Sequence, residues 1–159
     1  MFIVELLESD PAFSNLAFHF FFCFSRFEFA LKERRFLDSH KIGAAAKPGW
    51  AEFVNKYHSS YVTSSEAKEL LIAPPKKQFV GNNDELTWED LNLDKCNSDL
   101  EKVVSILRTI RNNLFHGGKH GLTGWNDHER TSKLLIHGME TLGQLASFAS
   151  INAEYSGKY

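Results

Sequence analysis

The chain has 159 residues, 43% of them hydrophobic and 24% charged, which suits one well-buried core and gives no sign of a second domain. A net charge of −2 and a pI near 6.4 exclude a global basic field, so any nucleic-acid site has to be local. Cys23 and Cys96 lie far apart with no Cys or His ligand spacing, which excludes a disulfide framework and a structural zinc site and suits reduced, cytoplasmic, buried thiols. The start MFIVELLESDP lacks a basic leader region, and FSNLAFHFFFCF is too short, against the ~20 apolar residues a span requires, to cross a membrane.

Asp10 and Pro11 open the first helix, Asp10 as cap and Pro11 at the position where a missing N–H costs nothing; the helix is expected to run to about Phe36. Phe13, Ala17, Phe20, Phe24, Phe27 and Leu31 form its core stripe, and Phe18, Phe22 and Phe29 a second one that calls for another helix or a second copy of the chain. After breakers at Gly43, Pro48 and Gly49, PGWAEFVNKY sets Trp50, Phe53, Val54 and Tyr57 on one face of a short helix. Thr63 and Glu66 have capping-box spacing before AKELLIA, which Pro74 and Pro75 terminate. KKQFVGNNDELTWED suits a small β-hairpin or an ordered loop around its GNN turn.

Ser98 and Glu101 form a second capping box, followed by an apolar face of Leu100, Val103, Val104, Leu107, Ile110 and Leu114 that should close at Gly117. Asn126 and Glu129 make a third box, opening a last helix through Leu134, Leu135, Met139, Leu142, Leu145 and Phe148. The tail INAEYSGKY is expected to fray. No internal repeat and no glycine-rich nucleotide motif is present.

Chemistry concentrates at RNNLFHGGK, Arg111 to Lys119. An Arg followed by a His after four to six residues is cheap, since chance supplies about one such pair in a chain of this composition. Four occur: Arg34 with His40, Arg35 with His40, Arg111 with His116, and Arg130 with His137. Only the third sits at a helix end opening into a glycine loop, which Lys119 makes locally cationic; the others suit surface residues. An imidazole, with a reference pKa of about 6.5, can take or give a proton at neutral pH, and a guanidinium stays charged while presenting a planar fork to phosphate oxygens. Positions 111 and 116 lie about 140° apart around a continuing helix, so the two side chains cannot share a face unless the helix unwinds or two chains combine. Asn112 is one turn before His116 and is placed to orient its imidazole by a hydrogen bond. Arg111 alone also suits an ion pair with a carboxylate such as Glu28. His116 and His120 do not form a metal pair, because two glycines interrupt the helix between them.

LRTIRNNLFHGGK, together with the aromatic first helix ending SRFEFALKE, resembles the HEPN (higher eukaryotes and prokaryotes nucleotide-binding) domains. The likeness covers roughly a third of the chain and does not extend to residues 39–93. It implies an all-α, HEPN-like bundle of four to five helices with a long irregular insertion or small hairpin in the middle, as a single domain over residues 1–159. It also implies a metal-independent, cofactor-free endoribonuclease that cleaves single-stranded RNA as a homodimer, of the kind found in toxin and antiviral-defence systems with a cognate antitoxin protein. Arg111 and His116 then take the catalytic positions and Asn112 the polar position after the Arg, with Lys119 as a substrate-binding candidate. The tyrosine that some members carry after the His is missing from HGGKHG, so control through it is not implied here. The alternative is a non-catalytic HEPN-like helical module that binds a nucleotide or a partner protein.

Overall fold

Asp10 begins the first helix as its cap, the side chain accepting the Phe13 N–H at 3.0 Å with Pro11 in the first turn. The computed structural model describes residues 10–116 and 128–158. Among these the chain forms α1 (Pro11–Glu33), α2 (Trp50–Tyr57), α3 (Ser65–Ile72), β1 (Lys76–Val80), β2 (Leu86–Asp90), α4 (Asp99–Phe115), α5 (His128–Phe148) and α6 (Asn152–Ser156). The structure is thus mostly helical, with six helices rather than four to five and one antiparallel hairpin, in which Lys76 pairs with Asp90 and Val80 with Leu86.

α1 stops three residues before Phe36. Arg35 takes a left-handed conformation (φ 63°), the Arg35 N–H bonds to the Lys32 carbonyl, and the Phe36 N–H reaches back to Leu31 at 2.9 Å. This closing arrangement normally uses glycine; with arginine there it costs roughly 1–2 kcal/mol, which the burial of Phe36 offsets. α5 closes the same way through Ser150 (φ 55°), whose neighbour Ile151 is buried and bonds back to Ala146 at 2.9 Å. Arg34 then donates to the Ser150 carbonyl at 2.9 Å, joining the two helix ends.

The tail does not fray. Beyond Ile151 it forms α6, which packs on α1: Arg26 donates to the carbonyls of Tyr155 (3.1 Å) and Glu154, and Arg34 pairs with the Glu154 carboxylate at 2.8 Å. Along its length α1 also packs against α5, and Gly138 lets them approach, since a Cβ there would sit 2.7 Å from the Phe20 ring. α3 bridges α5 and α4, while α2 lies on α4. The cap of α3 is Ser64, accepting the Ala67 N–H at 3.1 Å, and not Thr63; Glu66 accordingly turns away to accept from Gln144 at 2.6 Å.

Phe24, Phe27, Trp50, Phe53, Phe36 and Tyr57 join α1 to α2 in a chain of aromatic contacts with centroids 5.1–6.4 Å apart. The segment between α1 and α2 folds back on itself: Leu37 bridges Pro48, Gly49 donates to Phe36 at 2.9 Å, and Glu52 accepts from Leu37 and His40 at 2.9 and 2.7 Å. Gly49 is required there, because a Cβ would fall 2.5 Å from the Leu37 backbone. Of the second phenylalanine stripe, Phe18 (64% exposed) and Phe22 (55%) do face outward, whereas Phe29 is half-buried beneath the Arg26 guanidinium.

Candidate functional site

α4 positions the site. Its start is a reciprocal cap: the Ser98 hydroxyl accepts the Glu101 N–H at 3.2 Å, and Glu101 reaches back to the Asn97 N–H at 2.7 Å. Leu100, Val103, Val104, Leu107 and Ile110 are buried, which fixes the rotation of the helix and turns Arg108, Arg111 and Asn112 toward α1 and α2. The hairpin is tied to the same helix, Asn113 donating to the Lys76 carbonyl at 2.8 Å.

The helix ends at Phe115 with His116 as its cap, the His116 N–H bonding to the Asn112 carbonyl at 3.0 Å. Arg111 donates from Nη1 to Asn112 Oδ1 at 3.0 Å, so the amide oxygen is spent on the arginine and not on the imidazole it was expected to orient. The Arg111 guanidinium also lies 4.9 Å from the centre of the Phe115 ring. That ring, 59% exposed, stacks on Phe21 at 6.1 Å and meets His116 edge-on at 5.3 Å. Phe115 therefore stands between Arg111 and His116, which is the side-chain counterpart of their 140° separation. The exposed imidazole sits at the C-terminal end of the helix, beside its last carbonyls.

Arg111 and Asn112 open onto a cleft of about 320 Å³ that they share with Glu28, Lys47, Trp50 and Arg108. Glu28 lines it without pairing with Arg111: its carboxylate accepts the Trp50 indole N–H at 2.9 Å. A second cleft of about 550 Å³, between α2, α4 and Lys77 of β1, shares Trp50, Arg108 and Asn112 with the first. His116 lines neither cleft. The structure thus brings Arg111 and Asn112 together and sets His116 apart; Lys119 and Gly117 lie outside the described residues, as does Asn126 of the third capping box.

Arg108 and the Glu28–Trp50 pair were not singled out by sequence. The available signal for Arg108 was its place one turn before Asn112, on the same helical face. The other Arg and His pairs are not plain surface residues throughout. His40 is exposed and bound to Glu52, but Arg130 donates to the Pro74 carbonyl at 2.9 Å, and His137 is half-buried with Nδ1 enclosed.

Both cysteines are free and half-buried, less enclosed than expected. Burial raises the Cys96 thiol pKa, which disfavours a thiolate nucleophile. Tyr155 is raised further by burial and by its hydrogen bond with Cys23. Among the described residues no three His, Cys, Asp or Glu side chains cluster to hold a metal ion, and no helix is long and apolar enough to cross a membrane. Comparison with protein-family models, with curated proteins and with solved structures gives no match.

Proposed function

We propose that the chain is a HEPN-type, metal-independent endoribonuclease that cleaves single-stranded RNA as a homodimer, in the role of a toxin or antiviral-defence effector working in the cytoplasm, with an antitoxin protein as a candidate partner. The observation that carries this reading is the end of α4, where a cleft-facing Arg111–Asn112 pair and a solvent-exposed His116 flank a single exposed phenylalanine. In the reaction, His116 removes the 2′-OH proton, the 2′ oxygen attacks the adjacent phosphorus, and the 5′ oxygen leaves with a proton returned by an imidazole, giving a 2′,3′-cyclic phosphate. Arg111 neutralises charge on the phosphoryl oxygens as it develops. Because His116 does not line the cleft of Arg111 in one chain, the reading assigns His116 of one protomer to act with Arg111 of its partner. The outward rings of Phe18, Phe21 and Phe22 give such a dimer an apolar contact beside the motif.

The test is cleavage of labelled single-stranded RNA of mixed sequence by the wild type and by Arg111→Ala and His116→Ala. Each substitution should lower the rate by about 10²–10⁴-fold while circular dichroism and the dimer mass by light scattering stay unchanged. A monomer by light scattering contradicts the shared site.

The second reading, a non-catalytic HEPN-like module that binds a nucleotide or a partner protein, is favoured by one observation: His116 lines neither cleft. Wild-type protein that binds RNA or nucleotide but leaves every RNA uncut selects it.

A further inference from the structure

We infer that a single-stranded RNA lies along α4, its backbone phosphates held by Arg108 and Lys77 in the larger cleft before the strand reaches Arg111. The inference deepens the nuclease reading and takes the identity of its ligand from it. The two clefts meet at Trp50, Arg108 and Asn112, so they form one groove following α4 from the Ser98 cap to Asn112. At 1.5 Å per residue this stretch is about 21 Å long, room for several nucleotides rather than one.

The charge arrangement asks for an anion. Arg108 is exposed and makes no hydrogen bond or ion pair among the described residues. Lys77 is exposed too; Glu89 stands opposite it in the hairpin register without an ion pair, and among the described residues its ammonium meets the Phe79 ring, at 5.6 Å. The nearby carboxylates are held by neutral donors, which keep their charge but fix their direction: Glu101 by the Asn97 N–H and Glu28 by the Trp50 indole. Asp38 borders only the smaller cleft, beside Lys47. Among the described residues Arg108 and Lys77 thus face a polar groove without an ion pair of their own, and they outnumber Glu101, the one carboxylate that lines the larger cleft. A protein of net charge −2 gains RNA affinity from such a local concentration of positive charge and not from its overall field.

The groove reads backbone, not bases. Trp50, the aromatic residue shared by both clefts, is only 4% exposed and offers no face for stacking. Amides of Asn55, Asn97 and Asn112 suit riboses and base edges without selecting one base.

The experiment measures binding of the full chain to a fluorescent 2′-O-methyl oligouridine of about twelve nucleotides, which lacks the attacking hydroxyl, over a range of salt concentrations. Arg108→Ala and Lys77→Ala should each weaken binding about tenfold and each reduce the slope of log affinity against log salt by about 0.7, as expected for one phosphate contact on a single strand. Arg108→Lys should keep the slope. Cleavage of a dinucleotide, too short to reach Lys77, should proceed at the wild-type kcat in Lys77→Ala, with thermal stability unchanged in both alanine variants. An unaltered salt slope in the double variant overturns the inference, and so does an equal loss on dinucleotide and oligomer in Lys77→Ala. Uridine monophosphate competing as tightly as the oligomer also overturns it, in favour of a mononucleotide pocket. RNA cleavage indifferent to both substitutions removes the groove and leaves the nuclease. Groove-dependent binding without cleavage of unmodified RNA removes the nuclease and leaves the groove.

Discussion

Gly138→Ala tests the packing that holds α1, and with it the aromatic face beside the site, against α5. The added methyl would lie 2.7 Å from Cε2 and 3.3 Å from Cδ2 of Phe20, a ring with no exposed surface and no free direction to move. Overpacking of this kind costs about 1–3 kcal/mol. Replacing a helical glycine by alanine returns about 0.4–1 kcal/mol, so the net expectation is a loss of about 1–2 kcal/mol, or a fall in Tm of about 3–6 °C. Gly143, on the same helix, supplies the control: nothing lies within 4 Å of a Cβ there. Gly143→Ala should therefore raise the Tm by about 1–4 °C. Thermal unfolding followed by circular dichroism, at one protein concentration because a dimer's Tm depends on it, compares the two. Equal Tm gains in both variants would refute the close approach of α1 and α5 at Gly138.

Three further outcomes follow from particular contacts. The Leu37 N–H and His40 hold the Glu52 carboxyl below its ordinary pKa of 4.5, so its stabilisation of the 36–49 segment is full above that value and is lost as pH falls through the lowered pKa; amide exchange at Leu37 should accelerate in acid, and Glu52→Gln should flatten that dependence. Tyr61 is pushed up to about 12 by burial and then by the Asp99 charge, so the stability it contributes is complete below its ordinary value of 10.0 and declines between there and 12; ultraviolet titration should find Tyr61 ionising late, and Tyr61→Phe should remove that late phase. Trp50→Phe should destabilise by about 1.5–3 kcal/mol through its lost hydrogen bond to a carboxylate and should also slow RNA cleavage, because the released Glu28 then competes for Arg111; adding Glu28→Gln should restore cleavage but not stability, and an undiminished rate in Trp50→Phe alone would show that Glu28 does not reach the arginine.

Helix starts were legible where a local device makes them. Asp10–Pro11 and Ser98–Glu101 each satisfy exposed N–H groups within four residues, so sequence alone identifies them. Thr63 and Ser64 are adjacent hydroxyls, and the choice between them fell to the packing of Ala67 and Leu70, which are fully buried. Helix ends were harder. Arg35 and Ser150 close α1 and α5 in a conformation that sequence reading assigns to glycine, and the tail's helix is recorded only in what it touches, Arg26 and Arg34 of α1. At the site, Arg111 and Asn112 were legible from motif and periodicity. Their surroundings were not, because α2, the 36–49 segment and β1 reach α4 from distant parts of the chain, so neither the spacing of Glu28 and Trp50 nor that of Lys77 and Arg108 announces a shared cleft.

The position of Phe115 sharpens what the proposed chemistry demands. In one chain its ring has the Arg111 guanidinium over it, the edge contact of His116 beside it and Phe21 stacked on it, so three of its neighbours are set while more than half its surface stays open. The imidazole of the same chain does not line the cleft that Arg111 and Asn112 open onto. Two arrangements answer this: a second protomer brings its own His116 to the cleft, or the imidazole has no part in chemistry and serves the helix end. The exposed Phe18, Phe21 and Phe22 rings adjoin Phe115 on the α1 side, where a symmetric contact would bury them at the same time as it moved a partner's imidazole toward Arg111. On the proposed reading nuclease activity and dimer formation are one property, and the proposed groove along α4 would give the strand a way in that leaves the aromatic face free for a partner.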